Sequence, residues 1–97
     1  MGPLTTDLSR DDGRPYFLWD EDLTLGEFRR LLRDGPPEER DRLLGKLLRE
    51  ARDTDVWAFV TPREVADALP RIARRVGRRL DFWSFLIQGW QRDGLLP

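Results

Sequence analysis

Six apolar residues in the C-terminal third, Ile72, Val76, Leu80, Trp83, Ile87 and Trp90, are separated by steps of four, four, three, four and three. At about 100° per residue they fall within an arc of about 80°. A strand does not keep that period. The segment from about Arg71 to Arg92 is therefore predicted to be one helix whose seam packs on the rest of the chain, with Gly94 as its stop.

The opposite side of this helix changes character along its length. Arg71, Arg74, Arg75, Arg78 and Arg79 share one face, and one turn later that face carries Phe82, Phe85 and Leu86. A helix that is apolar on both sides must be covered on both sides. Either an aromatic segment from elsewhere in the chain lies over Phe82, Phe85 and Leu86, or these residues, with Trp90, form a docking patch for another protein or a second copy. The arginine face has two readings as well, a solvated surface or a contact for phosphates or an acidic partner. No aromatic residue interleaves with it before Phe82, which argues against base stacking on single strands.

The remaining segments also read as helical. Thr24-Leu25-Gly26-Glu27 is a capping box, followed by Leu25, Phe28, Leu31 and Leu32 at helical spacing and by a stop at Asp34-Gly35-Pro36-Pro37. A second helix starts near Pro37, with Glu38 and Glu39 in its first turn and Leu43, Leu44, Leu47, Leu48 and Ala51 as its stripe, and ends near Asp53. Val56-Trp57-Ala58-Phe59-Val60 fits a short strand or a helical turn, and the helical context favours the turn. Thr61-Pro62-Arg63-Glu64 is a second capping box with proline at the first helical position, and Pro70 is expected to break or kink that helix. Residues 1–14 lack apolar periodicity and are expected to be a disordered tail. Tyr16, Phe17, Trp19 and Asp20 belong to an aromatic arm, predicted to be extended, laid across the domain and the candidate cover for the last helix. The expectation is an all-α domain over 15–97, a compact bundle of four to five helices with that arm.

Charge and side-chain chemistry narrow the function. The 17 basic and 18 acidic residues nearly cancel, so bulk charge does not make the chain a polyanion binder. With no His and no Cys, the usual general base near neutral pH and thiolate chemistry are both absent. Asp20-Glu21-Asp22 fails as a calcium loop, because Leu25 stands where the turn glycine belongs and Leu31 where the bidentate glutamate belongs. The acidic run reads as capping and solvation of the first helix. Neither catalytic residues nor a metal or cofactor are expected. No stretch approaches a membrane span, and a cytoplasmic location is expected.

The order Pro15-Tyr16-Phe17-Leu18-Trp19-Asp20, Leu47-Leu48-Arg49-Glu50-Ala51-Arg52, Asp55-Val56-Trp57 and Thr61-Pro62-Arg63-Glu64-Val65 resembles a family of small bacterial proteins, over residues 15–90. That family has an aromatic-Trp-Asp arm, a Leu-rich helix, an Asp-Val-Trp step and a Thr-x-x-Glu-Val helix. Its members are often encoded beside nucleotidyltransferase-like toxins of the abortive-infection type. The resemblance implies an antitoxin or accessory subunit. In that reading Phe82, Phe85, Leu86 and Trp90 dock apolar surface, while Arg71, Arg74, Arg75, Arg78 and Arg79 face the toxin's acidic site. The alternatives are a DNA-binding regulator with a helix-turn-helix in 61–92 and a self-assembling structural subunit.

Overall fold

The computed structural model describes residues 2–96. Five α-helices make up most of it: α1 Leu25–Asp34, α2 Pro37–Glu50, the single turn α3 Asp53–Val56, α4 Pro62–Val76 and α5 Leu80–Arg92. The all-α bundle expected from the periodicities is present. The two strands, β1 Leu4–Thr5 and β2 Arg14–Pro15, form one short parallel pair in which Leu4 lies opposite Arg14. No helix among the described residues is long and apolar enough to cross a membrane.

Helix α2 is the central element. Its stripe residues Leu43, Leu47, Leu48 and the following Ala51 are buried, and α1, α4 and the N-terminal turn all pack on it. The approach of α4 depends on Gly45, where a Cβ would stand 2.5 Å from Arg75 Cβ. Both capping boxes form as the sequence indicates. Thr24 Oγ1 accepts from Glu27 N and Thr61 Oγ1 from Glu64 N, each at 3.2 Å, while each glutamate accepts the backbone N–H of its threonine.

Three expectations are corrected. The first is the disordered tail. Leu25 N and Gly26 N, the first two amides of α1, donate to Gly13 O at 2.8 Å and Asp11 O at 2.9 Å. Thr24 Oγ1 accepts the Glu27 amide and the Glu27 carboxylate accepts that of Thr24, so all four amides that a helix start leaves open find acceptors, half of them in residues 11–13. Arg29 ties Leu8 O to α1 at 2.8 Å, and residues 2–14 are part of the domain; Met1 lies outside the described residues.

The second is the extended arm. Tyr16–Leu18 is a 3-10 turn, with Phe17 and Leu18 buried. Phe17, Phe28 and Phe59 form a triad of edge-to-face rings with centroids 5.1–5.5 Å apart. Such rings are more fully desolvated in a three-sided cluster than in a flat arm. The segment therefore packs on α1, α2 and Phe59 and leaves Phe82 and Phe85 exposed.

The third is the helix break. The helix from Pro62 runs through Pro70 and ends at Gly77, whose φ of 61° is one that side-chain-bearing residues rarely adopt. Proline's fixed φ is helical, and burial of Ala68, Leu69 and Ile72 on both sides of it outweighs the missing N–H. The single long helix is thus two, joined by a 3-10 turn, Gly77–Arg79. The seam survives the break: Ile72 and Val76 on α4, and Trp83 and Ile87 on α5, are all buried. The apolar run at 56–60 contributes only Val56 to the turn α3, and Val60 is buried just beyond it.

Candidate functional site

Helix α5 packs inward through Trp83 and Ile87 and carries a second apolar face that no element among the described residues covers. Trp83 is fully buried and its Nε1 donates to Leu48 O at 2.8 Å, which fixes the rotation of α5 about its own axis. At about 100° per residue this rotation turns Phe82, Phe85 and Gly89 away from the core, with Leu86 at the edge of that face, where it still packs against the core. Phe85 is 73% exposed and Phe82 38%, and Leu86 and Gly89 are half-buried. The guanidinium of Arg79 lies over the Phe82 ring at 5.0 Å from its centroid, so Phe82 is held on one side and open on the other. Trp90 belongs to the rim of the core instead of the open face, because its ring lies 5.7 Å from that of Trp57 and it is half-buried.

The five arginines line α4 and the turn after it, and four of them lie along α2 and its end. The break at Gly77 separates Arg71, Arg74 and Arg75 from Arg78 and Arg79, and most of the five are engaged within the chain. Arg71 makes a two-pronged pair with Asp41 at 3.1–3.2 Å. The stem of Arg75 is half-buried against Gly45. Arg78 reaches Glu50 at 3.7 Å, and Arg79 donates to Ala51 O at 2.7 Å. Arg74 is the exposed member with no ion pair among the described residues.

The aromatic turn performs a different task from the expected one. Tyr16 Oη accepts the N–H of Arg52 at 2.8 Å and donates to Asp55, which locks the turn to the end of α2. Burial together with the neighbouring Asp55 carboxylate raises the Tyr16 pKa. Trp19 is 59% exposed. Asp20 and Glu21 do not serve α1. They bind Lys46, a lysine only 7% exposed in the middle of α2, and Glu21 also takes two hydrogen bonds of 2.9 Å from Arg42. The Arg42 bonds, with Lys46 beside them, hold the Glu21 carboxyl down at about 2, and the same arginine lowers Glu39. One signal of this cluster is legible in the sequence, a lone lysine in an apolar stripe. Among the described residues no group of three or more side chains suits a metal ion.

Comparison of the chain with models of known protein families, with curated proteins and with solved structures gives no significant match.

Proposed function

We propose that this chain is a protein-binding module that docks its partner through the outer face of α5. The observation that carries the reading is Phe85, an aromatic side chain 73% exposed on a helix whose orientation is fixed from the other side by Trp83. A rigid helix presenting an aromatic anchor is a recurrent recognition mode, and aromatic residues dominate the energetics of interfaces. The partner class implied by the resemblance is a nucleotidyltransferase-like toxin, with this chain as its antitoxin or accessory subunit.

The DNA-binding alternative draws less support. Of the five arginines that reading needs, Arg71, Arg78 and Arg79 already serve Asp41, Glu50 and Ala51 O.

The test is co-expression with a nucleotidyltransferase-like candidate partner, followed by calorimetric titration of wild type, Phe85→Ala and Phe85→Glu. The expected result is a stoichiometric complex weakened at least about ten-fold by either substitution. Phe85→Ala should shift stability by under about 0.5 kcal/mol, whereas Phe17→Ala should cost about 3–5 kcal/mol. A complex indifferent to Phe85, or a large loss of stability in Phe85→Ala, refutes the reading.

A further inference from the structure

The open face of α5 has a symmetry of its own. Its four residues, Phe82, Phe85, Leu86 and Gly89, are spaced three, one and three, so the set maps onto itself when the helix is reversed about the point between Phe85 and Leu86. We propose that this face pairs with a second copy of the chain, the two α5 helices running antiparallel about a two-fold axis through that point. The proposal rests on the reading of this face as a docking surface and names a second copy as its occupant in the isolated protein.

In that register each Phe82 lies level with Gly89 of the other copy, while Phe85 meets Phe85 and Leu86 meets Leu86 on the two flanks. Gly89 is the recess that the projecting ring needs. A Cβ built there meets only Arg92 Nη2, at 3.7 Å, so nothing else among the described residues fills the space. Glycine inside a helix costs about 1 kcal/mol relative to alanine, and no contact among the described residues requires it at position 89.

Charge points to the same arrangement. Asp81 and Arg92 are both exposed, and neither has an ion-pair partner among the described residues. At about 100° per residue both lie within about 40° of Phe85, on the same flank. A two-fold antiparallel pair sets like flanks against each other, so Asp81 of each copy comes within about one turn of Arg92 of the other, twice. A parallel two-fold pair sets unlike flanks against each other, so Asp81 and Arg92 would not meet across it. Antiparallel helices also oppose their dipoles favourably.

The contact is small. Helix α5 has 13 residues, about 20 Å, and its face falls short of the roughly 800 Å² per partner of a standard interface. The pair is therefore reversible, present at high protein concentration and open to displacement by a tighter partner.

The test is sedimentation equilibrium of the full chain from low micromolar to near-millimolar concentration. The expected result is a monomer–dimer equilibrium that Phe85→Glu weakens at least about ten-fold by setting two carboxylates on the axis. Gly89→Leu separates the proposed register from general stickiness. It adds apolar surface and helix propensity, so unspecific association would strengthen, whereas filling the recess opposite Phe82 should weaken the dimer and leave the thermal midpoint equal or higher. Asp81→Arg should weaken it too, and Asp81→Arg with Arg92→Asp should restore it. A chain that stays monomeric throughout, or a dimer strengthened by Gly89→Leu, overturns the proposal. Neither result touches the docking function, which fails instead by the absence of a Phe85-dependent complex with a different protein.

Discussion

Trp83 Nε1 donates 2.8 Å to Leu48 O, one of the last carbonyls of α2. In a continuing helix that carbonyl would accept the N–H of Arg52, but Arg52 N donates to Tyr16 Oη instead. The indole thus replaces a helical bond and also fills the core, with its ring edge-on to Trp57 at 5.7 Å. Trp83→Phe keeps much of the packing and leaves Leu48 O without a donor. We expect a loss of about 2–3 kcal/mol in denaturant titration. A loss under about 0.5 kcal/mol would mean that the hydrogen bond is not made.

The acid limb of stability should carry the signature of Glu21. Its carboxyl titrates at about 2 in the folded chain, against an ordinary value of 4.5, because Arg42 and Lys46 bind its ionised form. A depressed carboxylate pKa contributes stability that is complete above the unfolded value and is lost as pH falls through the folded one. The window is therefore from about 4.5 down to about 2. Glu21→Gln should lower stability at neutral pH by about 1–2 kcal/mol, a figure reduced for the part-exposed Arg42, and should flatten the fall across that window. Thermal melts of both proteins from neutral pH to the acid end provide the check.

The position of the break between α4 and α5 can be tested by two substitutions of opposite sign. Pro70 is exposed inside a continuous helix, so Pro70→Ala restores a backbone donor there and should raise stability by about 1–2 kcal/mol. Gly77→Ala forces a Cβ into a positive-φ conformation and should cost about 1–2 kcal/mol, although only Arg49 Cδ lies near, at 3.7 Å. If the chain broke at Pro70, the first change would not stabilise.

Gly45 reverses the usual helix ranking. In an isolated helix Gly→Ala gains about 1 kcal/mol. Here the added methyl would stand 2.5 Å from Arg75 Cβ, and α2 and α4 would have to separate. Gly45→Ala should therefore destabilise by about 1–2 kcal/mol net, as overpacking does, and a raised melting temperature would show that the two helices are not so close.

What could be read from the sequence was whatever is periodic or local. The two capping boxes, the α2 stripe and the inward seam through Ile72, Val76, Trp83 and Ile87 all depend on spacing within one element, and all are found in the structure. The continuation past Pro70 was misread because proline's local cost is visible in the sequence and the burial that offsets it is not. Residues 2–14 were misread because their order comes from acceptors at Asp11 and Gly13 meeting the open amides of α1, a relation with no period. At the candidate site, helical angle set Phe82 and Phe85 opposite the seam but left open whether the Tyr16–Trp19 segment covers them, because the packing of Phe17 on Phe28 and Phe59 has no period. The engagement of the arginines could not be read either, because Asp41, Glu50 and Ala51 reach them from a different helix and the turn after it.

The end of α2 is finished by groups from distant parts of the chain: Tyr16 takes the amide of Arg52, Arg79 the carbonyl of Ala51 and Trp83 that of Leu48. Neither an isolated α2 nor a fragment lacking the first or the last twenty residues can complete that turn. The Arg52 amide is consequently a gauge of the whole molecule. Its exchange with solvent deuterium requires the Tyr16 turn to lift from α2, so it should proceed on the clock of global opening, although Arg52 itself lies at the surface.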